Sequence, residues 1–476
     1  MTDRSVGGVV FVVIGDTHVA RRVCASLLQR GSEVLHLVAP GDDELRKAMV
    51  REPRGVAVLL HDDVAALRYA LAVAHIAPTA PLVVTIFDQT VSEQLVKLLP
   101  RCHVTSPAHL ATATLVAPCL EPEALAIRRT EGRTMALHRS GEELVESPWA
   151  LGRRARWHAR VGRVPGQLRP HDAGTRLLLL GLAGILAVLL GDWIWLTLGA
   201  GHEPAEAFHE AARVVAAVGP ATSGHAPTSY LLVSALAMLI TVVLTAAFTA
   251  GVVDRLLGPR LVGLIGARAL PRSGHVVVVG LGQVGLRLCR ELQLLGVAVV
   301  GVERDPQAPN LRIARTLGVP VIVAHGGDRA VLERLGVHRA QALAAVGSDD
   351  LDNIAIAVAA HGVAPGTRVV MRAGEHEAIA ETRSLLPLGT TRDVTSLSTT
   401  YVVARLLGTP ATAVVGHDKD VYLAIRGAGF SRSPMPPREE CRHGDRSESD
   451  PGRSSHCRVS AEFSLRHLCE DAGGVT

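Results

Sequence analysis

Aromatic residues are scarce: Phe, Tyr and Trp together make up 3% of the 476 residues. Layers of packed aromatic side chains are therefore not expected. The apolar content of 48% is carried largely by Ala, Val and Leu, which suit helices and parallel strands. Charge is sparse too, at 20% against an average of about 25%. A net charge of +4 is too small to argue for a nucleic-acid partner. The seven cysteines are odd in number and scattered, from Cys24 to Cys469, which excludes a disulfide scaffold and fits a reducing compartment. No secretory leader is expected at the start, because Met1–Gly8 is polar and Val9–Ile14 is too short for an apolar leader core. What the chain has instead is length for roughly three domains of ~150 residues. Its mean hydropathy of +0.27 argues against disorder.

Two apolar stretches account for that hydropathy. Residues 177–199 read LLLLGLAGILAVLLGDWIWLTLG, with Asp192 near one end, and Tyr230–Val253 carries no charge at all. Each is long enough to cross ~30 Å of hydrocarbon. Trp193, Trp195 and Tyr230 fall at the same end of such a hairpin, as interfacial aromatics do. Arginines crowd the outer flanks (Arg153, Arg154, Arg156 before; Arg255, Arg260, Arg268 after), whereas residues 200–229 hold Glu203, Glu206 and Glu210 against a single Arg213. The positive-inside rule then predicts a cell-membrane protein with two spans, an external 200–229 loop and both termini cytoplasmic.

After the second stretch the pattern changes. Residues 275–285, HVVVVGLGQVG, predict a buried strand followed at once by Gly280-x-Gly282-x-x-Gly285 and an amphipathic helix to Gly296; a second strand, VAVVGV, ends at Glu303. Gly280 permits the tight turn, Gly282 lets backbone approach a pyrophosphate, and Gly285 lets helix and strand pack closely. The free N–H groups of the helix N-terminus face the phosphates, and the Glu303 carboxylate can accept from ribose hydroxyls. Further βα units follow: VPVIVAHGGD to Asp328, AQALAAVGSDDLDN, TRVVMRAG with Arg372 near its end, and a helix expected over 375–386. The alternation predicts an α/β fold with a doubly wound parallel sheet. Asp349, Asp350 and Asp352 form an acidic cluster that a helix N-terminus explains without a metal.

In order and spacing, GLGQVG, Glu303, HGGD, GSDDLDN and VVMRAG resemble the RCK (TrkA-N) domain, over about 274–400. TSLSTTYVVARLLG resembles that family's swapping helix. The resemblance implies regulation of potassium channels and transporters, with NAD(H), ADP or ATP as ligand. Carried over by position, the nucleotide site comprises Gly280, Gly282, Gln283, Val284, Gly285, Glu303, Arg304, Asp328 and Arg372.

The N-terminal region reads as a worn copy of the same domain. One gapless offset lays Gly15-Asp16-Thr17 on Gly280-Leu281-Gly282; a larger one lays residues 61–74 on 348–361, with Asp62 on Asp349. The growth between offsets predicts that one helix and one strand are missing or reduced in the first copy. Thr17 and Ala20 replace Gly282 and Gly285, Val38 replaces Glu303, and VVTIFD offers no counterpart of Arg372. The first copy is thus expected to be structural, a dimerisation partner or ring-builder rather than a nucleotide site, the alternative being a residual site of Asp16, Thr17 and His18. The expected division is residues 1–130 for this degenerate domain, 131–175 a basic linker, 176–255 the hairpin with a pore-like loop at 203–226, 256–273 a linker, 274–410 the nucleotide-binding domain, and 411–476 a remnant with a disordered tail.

Two spans joined to an RCK-like domain resemble the pore module of tetrameric potassium channels, whose loop holds a short helix and a TVGYG filter. Here 205–215 predicts the short helix. The filter candidates are Ala216, Ala217, Val218, Gly219, Pro220, Ala221 and Thr222. Only Val218-Gly219 matches: the threonines are Ala216 and Ala217, and Pro220 and Ala221 stand for Tyr and Gly. Ordinary potassium selectivity is thereby in doubt. Thr241, Thr245 and Thr249 either line a pore or bond a neighbouring helix. Cys441, His443, His456, Cys457, His467 and Cys469 fit no common zinc spacing. Three functions follow in order: a nucleotide-gated cation channel or transporter, a homotetramer in lipid passing monovalent cations such as K⁺; a non-conducting regulatory scaffold; and a tethered NAD(P)-dependent oxidoreductase. The last lacks a substrate domain and an evident catalytic pair.

Overall fold

A computed structural model describes residues 9–130, 132–141, 143–152, 173–218, 228–257, 270–271, 273–374, 389–417, 420–436 and 441. Two Rossmann-like parallel-sheet domains flank, along the chain, two long apolar helices. The chain divides into two compact units, the first comprising 1–163 with 270–476, the second 164–269.

In the first unit the N-terminal half runs β1 (Val10–Ile14), α1 (His18–Gln29), β2 (Glu33–Leu37), α2 (Asp42–Met49), β3 (Gly55–Val58), α3 (Asp63–Ile76), β4 (Leu82–Thr85), α4 (Gln89–Leu98), β5 (Cys102–Thr105) and α5 (Pro107–Leu120). Its central strands β1, β3 and β4 are buried and Val-rich, as strands covered on both faces are. They form one parallel sheet in the order β2-β1-β3-β4-β5. A three-stranded antiparallel sheet follows: β6 (Ala124–Thr130), β7 (Arg133–Ser140) and β8 (Glu143–Pro148). Residues 131–175, expected as a linker, thus carry two strands. Gly132 and Gly141 take positive φ (79° and 66°) at the hairpin turns, and the polar outer face of the strands hides them from a hydropathy reading.

The second unit begins with α6 (Ala173–Ile194), which continues as one π-helical turn over Trp195–Gly199. It is followed by α7 (Pro204–Val215) and α8 (Thr228–Leu257). Two stretches, Arg176–Gly199 and Tyr230–Val253, are long and apolar enough to cross a membrane. Gly181 and Gly184 let them approach: a Cβ on Gly181 would stand 2.7 Å from the Leu244 carbonyl oxygen, and one on Gly184 2.5 Å from the Leu244 side chain. At the loop end Trp195 stacks on Tyr230 with centroids 5.1 Å apart, and Trp193 Nε1 donates to the Pro204 carbonyl at 3.0 Å. The Thr241 hydroxyl donates to Ala237 O of its own helix at 2.8 Å. Of the filter candidates, Ala216 caps α7 and Ala217 is left-handed (φ 55°), next to Val218. Gly219, Pro220, Ala221 and Thr222 lie outside the described residues, as do the helix expected over 375–386, the arginines of 153–172 and most of the tail.

The second α/β half resumes in the first unit with β9 (His275–Val279), α9 (Gln283–Leu294), β10 (Ala298–Glu303), α10 (Asn310–Thr316), β11 (Val321–Val323), α11 (Arg329–Leu335), β12 (Ala342–Ala345), α12 (Asp350–Val363), β13 (Arg368–Ala373), β14 (Thr390–Asp393) and α13 (Val394–Leu406). The sheet order is β11-β10-β9-β12-β13-β14, all parallel. The first half has the same order without a β11 or an α11. A second antiparallel sheet closes the chain: β15 (Ala411–His417), β16 (Asp420–Ile425) and β17 (Gly429–Ser433). Residues 411–417 and 420–433 therefore form a small sheet. Its Val415 and Phe430 share a core with Leu125, Leu137 and Leu144 of the first small sheet.

The halves exchange a helix. Val402, Val403 and Leu406 of α13 complete the core of the first half, against Phe11, Val13 and Val23, while α5 packs on α9 and β13 of the second. Cys24, Cys102, Cys119 and Cys289 are free and buried, and burial pushes Cys102 and Cys119 up to about 12, so these thiols are inert.

Candidate functional site

The Gly-rich turn lies between β9 and α9, and each glycine is required there for a different reason. Gly280 has φ +88°, and a Cβ on it would stand 2.7 Å from Gly347 N. A Cβ on Gly285 would stand 1.9 Å from the Gly280 carbonyl oxygen. Gly282, the N-cap of α9, would meet nothing within 4 Å, so its face is open to a ligand. Among the described residues no side chain caps this helix, which leaves its first N–H groups available to an anion.

Glu303 ends the neighbouring strand and ties the turn together. Its Oε2 accepts from Leu281 N–H at 2.8 Å, and its Oε1 from Arg304 N–H (2.9 Å) and Asp305 N–H (3.1 Å). Oε2 keeps one lone pair for a hydroxyl donor. On the facing strand ends, Asp349 caps α12 by accepting from Leu351 and Asp352 N–H. The Asp350 carboxylate accepts from Gly374 N–H at 3.1 Å. Asn353, 1% exposed, holds the Gly347 peptide through both its N–H (2.9 Å) and its carbonyl (3.1 Å), and also donates to Arg372 O at 3.3 Å. At the rim His325 Nδ1 accepts from Gly327 N–H, which makes Nε2 the protonated nitrogen that donates to Asp352 Oδ1 at 3.1 Å. Arg304 reaches the same carboxylate at 4.0 Å.

These groups enclose a cavity of about 490 Å³. Gly280, Gly282, Gln283, Val284, Glu303 and Arg304 line it, as does Arg372. Gly285 sits behind the turn. Asp328 stands exposed at the N-cap of α11, outside the cavity wall. Sequence reasoning passed over Asn353 as a clamp, although it lies in the quoted GSDDLDN. It also missed that Thr17, His18, His61 and Phe87 of the first half line the same cavity. Their presence follows from how the halves dock, which no local pattern records.

The first half keeps the scaffold with different side chains at the equivalent positions. Register places Leu37 beside Ile14 as Val302 stands beside Val279, so Val38 occupies the Glu303 position. Thr17 turns its hydroxyl inward, accepting from Ala20 N–H and donating to Leu59 O, both at 3.1 Å. Asp16 is taken by Arg21 at 2.8 Å. Thr85 occupies the Arg372 position and bonds Leu60. Yet Asp63 still accepts from Phe87 N–H, as Asp350 does from Gly374 N–H. The carboxylate that shapes the strand end is retained, while Glu303 and Arg372 have Val38 and Thr85 in their places.

Residues 276–390 match the TrkA-N domain. This TrkA-N segment holds the Gly-rich turn, Glu303, the Asn353 clamp and Arg372. The chain is 35% identical over 80 residues to a Trk system potassium uptake protein TrkA of Streptomyces coelicolor. That stretch is 17% of the chain and 35% of the relative, so the chain spans about a third of that relative's length. Among solved structures, the GsuK channel is similar at 15% identity and a TM-score of 0.48, over 86% of this chain and 65% of that one. The TrkA-N domain of the Escherichia coli inner membrane protein ybaL is similar at 18% identity and a TM-score of 0.23, over 25% of this chain and 87% of that one.

Proposed function

We propose that this protein is a nucleotide-regulated cation transport protein of the membrane, related to potassium channels. Its hairpins assemble with those of other copies, in a tetramer, around a path for monovalent cations such as K⁺. The observation that carries the reading is one chain holding both an apolar hairpin and a TrkA-N segment whose uncapped helix, open Gly282 face and Glu303 carboxylate border a single cavity. A pyrophosphate fits the α9 N-terminus, and a ribose hydroxyl fits the free lone pair of Glu303. NAD(H), ADP and ATP all supply both groups. The potassium uptake relative supports the choice of ion. The Arg-rich flanks favour cytoplasmic termini and two spans. A ligand held more tightly in one arrangement of the α/β halves biases the hairpin by that difference in affinity and no more.

A second reading, a non-conducting regulator, is favoured by Ala216 and Ala217 at the threonine positions and by Pro220 and Ala221 after them. Reconstitution into proteoliposomes separates the two. K⁺ and Na⁺ flux that changes several-fold on adding NADH or ATP supports the channel. A tight membrane under every condition, with nucleotide still bound, leaves the regulator.

A further inference from the structure

The two halves of the α/β unit carry the same arginine in different company. The offset that lays Gly15 on Gly280 lays Arg22 on Arg287; the one that lays Asp62 on Asp349 lays Ser106 on Asp393 and His109 on Ser396. The caps obey it. Ser106 and Asp393 are the N-caps of α5 and α13, accepting from His109 N–H at 3.1 Å and from Ser396 N–H at 2.8 Å. Because α1 packs on α13 and α9 on α5, Arg22 meets the Asp393 cap and Arg287 meets the Ser106 end of α5.

Around Arg22 the charges close. It is 6% exposed, lies 3.5 Å from Asp393 Oδ2 and donates to Ser396 Oγ at 3.2 Å. Around Arg287 the carboxylate has become Ser106 and the hydroxyl has become His109. Among the described residues, no hydrogen bond or ion pair reaches the half-buried Arg287 guanidinium. Beside it lies a cavity of about 290 Å³. His109, Arg129, Arg287 and Glu291 supply its polar wall, and Leu110, Ile127 and Val414 its apolar one. Arg128 also borders it but is committed to Glu146 and to the Phe430 ring. Burial, and then the Arg287 charge, push His109 below the usual imidazole range. Glu291, one turn along α9, is felt electrostatically by Arg287 without being an ion-pair partner.

We propose that this cavity binds a small molecule carrying a single oxyanion group, a carboxylate or a phosphate, seated against Arg287 as the Asp393 carboxylate is against Arg22. A guanidinium keeps its charge when buried and pairs with carboxylate and phosphate through its planar fork of donors. An unpaired one is costly, which favours any anion that fits. Glu291 limits the site to one anionic group, and the apolar wall takes a short hydrocarbon portion. The site is distinct from the Gly280–Glu303 cavity and does not depend on the nucleotide reading.

The test uses the full chain in detergent at fixed ionic strength, titrated with inorganic phosphate and, separately, with propionate against a chloride control, by calorimetry and thermal melting. Saturable binding of at least one probe is expected, weakened at least tenfold in Arg287→Met, with NADH binding unchanged. Ser106→Asp restores the missing carboxylate within the chain; it should lose probe binding and melt no lower than the parent. The stronger probe assigns phosphate or carboxylate as the natural group. Absence of saturable binding for both probes, or binding undiminished in Arg287→Met, overturns the site.

Discussion

Two glycines three residues apart give opposite experiments. Gly285→Ala drives a methyl into the Gly280 carbonyl, 1.9 Å away, and should lower stability by about 1–3 kcal/mol, visible as a lower melting temperature. Gly282→Ala meets open space at φ −67°, which alanine adopts freely, so the melt should shift by less than ~0.5 kcal/mol. Its methyl instead stands where a pyrophosphate would approach, and NADH or ATP affinity should fall at least tenfold in a fluorescence titration. Unchanged affinity in Gly282→Ala would move the phosphates elsewhere. His275 makes a separate residue-level case. It is wholly buried, Nε2 donates to Leu335 O at 3.0 Å, and Nδ1 has no partner among the described residues. Burial pushes it down to about 4, the Leu335 bond acts upward, and Arg339 adds a downward push. The folded value lies below the unfolded one, so the unfolded chain takes up the proton first as pH falls. The contribution is full above pH ~6.5 and drains towards pH 4, by on the order of 3 kcal/mol. Denaturant melts of the parent should therefore weaken from pH 7.5 to 5, and His275→Asn should weaken less. His103, lowered to about 4 by burial and Arg405, adds a remaining slope in the same window.

Among the elements, α13 binds the halves together. Nearly every residue from Val394 to Leu406 is buried, so the helix has no polar face, and its pattern alone says only that it is a core helix. Which core it enters is set by the exchange with α5. Leu406→Ala should therefore cost about 2–5 kcal/mol in the core of the other half. Hydrogen exchange should show protection lost in β1 and α1, whose Phe11 and Val23 share that cluster, ahead of β9. Loss confined to β9–β13 would contradict the exchange. The small strands β7 and β8 illustrate the opposite difficulty. One of their faces is open, so the apolar alternation is weak, and the glycine turns were the better signal.

For the whole molecule, the two halves share a sheet order but differ in the side chains at the turn and the strand end. Glu303→Ala should abolish nucleotide binding in calorimetry, whereas Val38→Ala, at the equivalent register position, should leave it intact. Equal losses would mean that the first half holds a second ligand. The two Gly-turns border one cavity, so the first half forms part of its wall.

Periodicity, glycine spacing and internal repetition were enough to determine the α/β class, the two long apolar helices and the Gly280–Gly285 turn with its strand-end acid, and to expect a first half with a reduced sheet, which has five strands against six. These features are local: they depend on side-chain alternation, on backbone angles, or on distances along a single βα unit. The resemblance of 394–407 to a swapping helix anticipated the exchange of α13; only the tertiary structure decided that α5 is its counterpart, that Asn353 holds the Gly347 peptide, that Asp328 stands outside the cavity, and that Arg287 faces Ser106 where Arg22 faces Asp393. Each of those depends on residues far apart in the chain meeting across a packed interface, where shape and burial select the partner and sequence order does not.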